Sequence, residues 1–204
     1  MQTPGMASNA SVRVGVMLIR HPNSARGNDI YETPEVATLA LLAVEPLPPT
    51  ILEPACGRSA ISKVLRAVGH TVIENDIIDY GLGQDRVQDF LEITRGEIDG
   101  IDGVVTNPPF RLAQKFVRHA LTLCPHVFML LRLTFFESER RRDVLENAGL
   151  IRVHVFRNRL PMMHRDGWTG NRSTSTVAYA WFVWERGYSG NAEFDRILWN
   201  RGLK

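Results

Sequence analysis

The chain has 204 residues, 44% hydrophobic and 23% charged, with a formal net charge of +2; this is the composition of one ordinary globular domain with a sizeable core, not of a disordered or fibrous chain. No run of 18 apolar residues is present, which excludes a membrane-spanning helix, and the VGVML of the first twenty residues is too short and wrongly flanked for a signal peptide. Two cysteines, Cys56 and Cys124, make neither a disulfide framework nor a zinc spacing, so a reduced, cytoplasmic protein without a metal is expected.

Residues 1–28 have little periodic apolar pattern and much Ser, Asn, Gly and Pro, and read as a partly mobile arm ahead of a folded domain over 29–204. Thr33-Pro34-Glu35 opens a helix, with threonine as the cap, proline in the first position and an acid in the first turn. It runs to about Val44, where Pro46, Pro48 and Pro49 stop it. A strand ends at 51–52, and residues 59–68 form a helix with Ile61, Val64, Leu65 and Val68 on one face. Residues 71–75 read as a strand, and after an irregular stretch so do 101–105. A helix comes next over 111–123, then a strand over 126–131, a charged helix over 138–148, a strand over 151–156 and a late strand over 175–184. Strand and helix in alternation mean an α/β domain with a parallel sheet, which binds its ligands beyond the carboxyl ends of the strands.

The unusual residues fall at those ends. ILEPACGRSAIS (51–62) is strand, tight turn at Gly57 and helix start, where small residues let backbone N–H groups approach a ligand. TVIENDI (71–77) ends on Asp76, a carboxylate about 20 residues beyond the glycine turn and suited to ribose hydroxyls, with Glu74 and Asp79 as competitors. In QDFL (88–91), Asp89 could accept an adenine amino proton while Phe90 packs on a ring; a helix-start acid with a core phenylalanine fits equally.

TNPPF (106–110) continues an apolar strand with an amide, two prolines and an aromatic ring. Two adjacent prolines cannot be strand interior, so the stretch is a stiff loop. A nucleobase amino group is a poor nucleophile because its lone pair is delocalised. Two acceptors aimed at its hydrogens would draw the nitrogen toward tetrahedral geometry. The side-chain oxygen of Asn107 and the carbonyl of Pro108 can be those acceptors, with their direction fixed by Pro108-Pro109. Phe110 would stack on the extruded base. The bland alternative is a rigid strand-to-helix corner.

In the order YETP (31–34), EPACG (53–57), an acid at the second strand, DF (89–90) and NPPF (107–110), the chain resembles the class I S-adenosylmethionine-dependent methyltransferases. Within them it is similar to the N6-adenine DNA methyltransferases with an (N/D)PP(Y/F) motif, most of all the small phage- and prophage-borne members. The likeness spans roughly residues 28–184. It implies a Rossmann-like, mostly parallel seven-stranded sheet with helices on both faces and an antiparallel last strand drawn from 174–184. It also implies S-adenosyl-L-methionine as cofactor and S-adenosyl-L-homocysteine as product. By this resemblance Tyr31 and Thr33 line the methionine end. Glu53, Pro54, Ala55, Cys56 and Gly57 border the amino acid and sulfonium. Asp76, with Ile77 after it, holds the ribose, and Asp89 with Phe90 the adenine. Asn107, Pro108, Pro109 and Phe110 hold the target amine, Asn107 also bordering the cofactor. The chain departs from the family where Ser59 replaces a second glycine and Arg58 a frequent acid. Serine is expected to cap the helix and preserve cofactor binding.

The expected substrate reader is the Arg-rich stretch RVHVFRNRLPMMHRDGWTGNR (152–172), and chiefly the loop near 157–174. Arg157, Arg159, Arg165 and Arg172 would grip phosphates, and Trp168 would stack or wedge against bases. Only Lys63, Lys115 and Lys204 are lysines; the other basic residues are arginines, whose planar fork suits phosphates and base edges, although a GC-rich genome alone would favour them. His164 is not needed as a base, 139–143 is a solvated face, and Trp181 and Trp184 belong to the core. With no long insertion between the motifs, weak or short-site specificity on DNA is expected, with a homodimer as one way to grip a duplex. An RNA base or a protein glutamine is the chemical runner-up. A non-catalytic nucleic-acid-binding partner retaining the fold is the alternative of another class.

Overall fold

A computed structural model gives the fold and describes residues 31–164 and 176–199; the expected arm over 1–28 lies outside them. Among the described residues there are ten strands, β1 (Tyr31–Glu32), β2 (Thr50–Glu53), β3 (Thr71–Asp76), β4 (Arg86–Val87), β5 (Gly103–Thr106), β6 (His126–Arg132), β7 (Leu150–Phe156), β8 (Met163–His164), β9 (Tyr179–Glu185) and β10 (Glu193–Ile197). The α-helices are α1 (Glu35–Leu42), α2 (Ala60–Ala67), α3 (Ala113–Leu123) and α4 (Arg142–Leu145). Eight strands form one sheet in the order β10-β7-β9-β6-β5-β2-β3-β4, and β1 pairs antiparallel with β8 as a separate ribbon. All neighbours in the large sheet run parallel except β9, which is antiparallel to both β6 and β7.

The central strands are largely apolar because both faces are covered, with polar residues gathered toward their carboxyl ends. Along β6 the side chains alternate between two cores. Val127, Met129 and Leu131 join Phe116, Val117, Ala120 and Leu123 of α3 on one face. Phe128 and Leu130 join Ala37, Ala40 and Leu41 of α1 and Ile61 and Leu65 of α2 on the other. Trp181 and Trp184 are fully buried, as expected of core residues, and their indole N–H groups donate to the carbonyls of Ala37 (2.8 Å) and Val144 (2.7 Å).

The Rossmann-like, helix-flanked sheet expected from the sequence is present, with eight strands rather than seven. The antiparallel strand is β9, inside the sheet, and β10 comes after it in the chain and adds to the edge beside β7. β10 escapes a reading by pattern because four of its five residues are exposed and only Ile197 is buried. Likewise, the helix expected over 138–148 is a 3₁₀ turn (Glu139–Arg141) and then the single turn of α4, in which Val144 alone is buried. One apolar anchor leaves a longer helix without the packing that stabilises helices in proteins. At α1 the cap position is Pro34, and no side chain caps the helix. Thr33 is therefore not the cap; its hydroxyl is engaged at the candidate site.

Candidate active site at the carboxyl edge of the sheet

Glu53, Asp76, Thr106 and Arg132 are the last residues of β2, β3, β5 and β6, four parallel strands, so the loops that leave these strands all open on one edge. β9 runs the other way, which brings its first residue, Tyr179, opposite Arg132 on the same edge.

The glycine turn is anchored on the second strand. Gly57 has φ +52°, a left-handed conformation that glycine adopts without a Cβ penalty. Its N–H donates to Asp76 Oδ2 at 2.9 Å, and Asp76 Oδ1 accepts from the N–H of Ile78 at 3.1 Å. Asp76 is thus fixed at the strand end, with a carboxylate whose lone pairs exceed these two bonds. A residue missed from the sequence makes the turn rigid. Asn75, fully buried, gives its side-chain N–H groups to the carbonyls of Pro54 (3.2 Å) and Gln88 (3.0 Å), and its own carbonyl accepts from Cys56 N–H (3.0 Å). The available signal was an amide at a buried position of an apolar strand, a group that must find partners.

Ser59 has φ 64° and ψ 29°, and its side chain makes no cap hydrogen bond. The expectation that it caps α2 fails. It occupies a left-handed position, the conformation in which a glycine costs least, and its carbonyl accepts from Lys63 N–H at 2.9 Å.

The floor of the turn is acidic. Glu53, 1% exposed, accepts from the N–H of Ser62 at 2.9 Å and from the Ser62 hydroxyl. Burial, and secondarily the charge of nearby Glu74, push its carboxyl up to about 8. Cys56 is pushed up to about 12 by burial and by Glu53, Asp76 and Glu74, which makes its thiol inert as a nucleophile. Glu53 and Asp76 at adjacent strand ends suit a cationic ligand with hydroxyls. Ile77, directly after Asp76, is 65% exposed, an apolar side chain facing solvent at this acidic edge. Asp89 accepts from Leu91 N–H at 2.9 Å at the start of a 3₁₀ turn, and Phe90 is buried with its ring 4.8 Å from Phe116 and 4.9 Å from His119. The contacts of this pair are those of a cap and a core ring.

At the end of β5, Asn107 Nδ2 donates to Thr33 Oγ1 at 3.0 Å. That bond joins the chain ahead of α1 to the diproline corner, with the amide nitrogen on the side of Thr33. Pro108 is buried and Pro109 exposed, and Pro109 C=O accepts from Leu112 N–H at 2.8 Å. Among the described residues no hydrogen bond is made to the carbonyl of Pro108. Phe110 lies with its ring 5.9 Å from that of Tyr179, and the guanidinium of Arg132 sits 4.0 Å over its centroid. Neither Arg132 nor Tyr179 stands out in the sequence as a site residue.

Of the expected reader, Arg165, Trp168 and Arg172 lie outside the described residues, as does Ser175, the expected start of the late strand. Arg157 and Arg159 are exposed; Arg157 donates to the carbonyl of Arg196, a bond to β10. The two ends of the segment are placed: Phe156 closes β7 and Tyr179 opens β9, both at the edge that carries NPPF. Tyr31 takes part through its backbone, paired with His164.

A cavity of about 390 Å³ lies elsewhere, against Arg152, His154, Glu193, Phe194 and Asp195. Its arginine and histidine are already paired: Glu45 accepts from both Arg152 and His154, and His154 also pairs with Asp195 at 2.6 Å. This is a closed ion network rather than a reactive site.

No protein-family model matches the chain, and none of the curated proteins is similar to it. Solved structures are. An RNA methyltransferase assignment from Pyrococcus horikoshii is 14% identical over 78% of this chain and 87% of that one, with a TM-score of 0.58. A protein assigned as the modification subunit of a type I restriction enzyme, from Vibrio vulnificus, is 14% identical over 85% of this chain, with a TM-score of 0.57. A protein assigned as a class I S-adenosylmethionine-dependent methyltransferase, from Listeria monocytogenes, is 14% identical over 79%, with a TM-score of 0.53. The chain spans only 48% and 62% of the length of the last two. At such identities the likeness is one of fold, the Rossmann-like fold of class I methyltransferases.

Proposed function

We propose that this chain transfers a methyl group from S-adenosylmethionine to an exocyclic amine, and that the amine is adenine N6 in DNA. The observation that carries the reading is the corner at Asn107. An asparagine amide anchored through its nitrogen to Thr33 stands beside a buried proline whose carbonyl has no donor among the described residues, at the strand end next to an acidic glycine turn.

The cofactor fits the acidic turn: Asp76 for ribose hydroxyls, Glu53 beneath the cationic portion, and Ile77 beside the purine. When bound, it supplies a methyl carbon on a sulfonium, released as a neutral thioether. Asn107 Oδ1 and the Pro108 carbonyl accept the two amine hydrogens and favour the pyramidal nitrogen that attacks. The rigid diproline holds both acceptors without reorganisation, which is where most of the rate advantage of such a site arises. The proton leaves after the amine has become cationic, so no strong base is required. Phe110 offers a face for the extruded base.

Adenine in DNA is favoured over a glutamine amide by the guanidinium of Arg132 at the Phe110 ring and by the arginine content of the segment pinned between β7 and β9. The test is incubation with labelled S-adenosylmethionine and, separately, duplex DNA, single-stranded DNA, RNA and protein. N6-methyladenine recovered from DNA supports the reading. Label on an RNA base or on glutamine replaces the substrate and leaves the chemistry. Failure to bind S-adenosylmethionine by calorimetry rejects the enzyme in favour of a binding protein.

A further inference from the structure

Among the described residues Arg132 has no counter-charge. It ends β6, opposite Tyr179, and is partly buried. Its Nε is shut off from solvent and has no hydrogen-bond partner, and among the described residues no carboxylate or carbonyl accepts from its guanidinium. The contact it does make is with the ring of Phe110, at 4.0 Å. Two other partly buried strand arginines, Arg86 and Arg152, each face a carboxylate, Glu97 and Glu45. A guanidinium kept partly desolvated without a counter-charge is costly, and a ring face offsets only part of that cost. An anion is what this position is missing.

We infer that Arg132 is a substrate-binding residue. In the free protein it covers the face of Phe110 that the extruded base takes, and when the base enters it moves aside and gives its fork to a phosphate of that nucleotide. The inference rests on the proposed function, since it requires a nucleotide at Phe110. Its chemistry is that of arginine alone: a planar cation that stacks on an aromatic ring in one state and binds phosphate oxygens bidentately in the other. Displacement is inexpensive because one π-face contact is exchanged for another and the cation gains a charged partner.

The experiment uses a fluorescein-labelled single-stranded (dA)20 probe, with saturating S-adenosylhomocysteine to keep its bases out of the cofactor cleft. Affinity is measured by anisotropy as a function of salt. Arg132→Met should weaken binding about tenfold at 0.15 M salt and lower the slope of log K against log salt by about 0.7, the loss of one phosphate contact on a single strand. Arg132→Lys, which keeps the charge, should retain the slope while losing part of the affinity. A merely structural arginine would change affinity without changing the slope, and an unchanged slope in Arg132→Met overturns the inference. So does a wild-type protein that ignores (dA)20 and binds a glutamine peptide. The proposed activity is read separately, by label transferred by the wild-type protein.

Discussion

Asn107 and Thr33, 74 positions apart in the sequence, are joined by a 3.0 Å hydrogen bond from the amide nitrogen to the hydroxyl. The bond ties the amide of the corner to the chain ahead of α1. If that tie is what prepares the site, Thr33→Val should lower kcat about tenfold, the value of one neutral hydrogen bond, and Thr33→Ser should restore most of it. Asn107→Ala should lower kcat by ~10²–10³, as loss of a preorganised polar group does, and leave affinity for S-adenosylhomocysteine within a few-fold. Single-turnover kinetics with calorimetry separate the two effects. Equal loss of cofactor affinity in Asn107→Ala would show that the corner serves the cofactor instead.

Asp76 has a structural duty and a proposed one. Its carboxylate accepts from Gly57 and Ile78 and is the proposed partner of the ribose. Asp76→Ala should therefore weaken cofactor binding by about 10–100-fold, since hydrogen bonds to a charged group are worth ~1.5–3 kcal/mol. It should also lower the melting temperature of the unliganded protein, because two amides lose their acceptor. Calorimetry and thermal melting measure the pair. A variant that melts normally and binds normally would remove Asp76 from both roles.

Glu53 predicts a pH dependence with a definite sign. Burial raises its carboxyl to about 8, whereas an unfolded chain loses that proton near 4.5. Between those values the native state holds more protons than the unfolded state, so this group's contribution is fully present below about 4.5 and is lost as pH rises toward 8. Thermal melts of the unliganded protein should fall over that window, and Glu53→Gln should flatten the profile. A cationic ligand beside Glu53 favours its ionised form; cofactor binding near pH 7 should then release a proton, visible as a heat that depends on the ionisation enthalpy of the buffer.

Ser59 holds a left-handed conformation without a compensating cap. Ser59→Gly should stabilise the protein by about 1 kcal/mol, the steric cost that a Cβ incurs there. Denaturant unfolding is the direct measure, and destabilisation by the glycine would show that the serine hydroxyl has an unrecognised role.

The sequence made the alternation of strands and helices legible because β2, β3, β5, β6 and β7 are short, mostly apolar segments, bounded by turns, that fill a sheet covered on both faces. It also brought Glu53, Gly57, Asp76 and Asn107 to one edge, since each ends one of those strands or lies just beyond its end. Elements whose cause is tertiary escaped it. β10 pairs with β7 through backbone bonds that its exposed side chains do not announce. Thr33 looked like a helix cap because local chemistry allows that role, and only the folded chain shows Asn107 nearer at hand. Arg132 looked like the polar end of a strand, and its significance lies in the lack of a counter-charge among the described residues, which no single sequence reveals.

The antiparallel course of β9 has a consequence for how such a domain diversifies. The chain leaves β7 at Phe156 and re-enters the sheet at Tyr179 on the same side, so both ends of the intervening span are anchored on the sheet. Lengthening a span of this kind is thermodynamically cheap, about 0.6 kcal/mol for each doubling of a flexible loop. Changes of length or sequence between these two anchors can then be taken up outside the sheet, while the corner at Asn107 stays as it is.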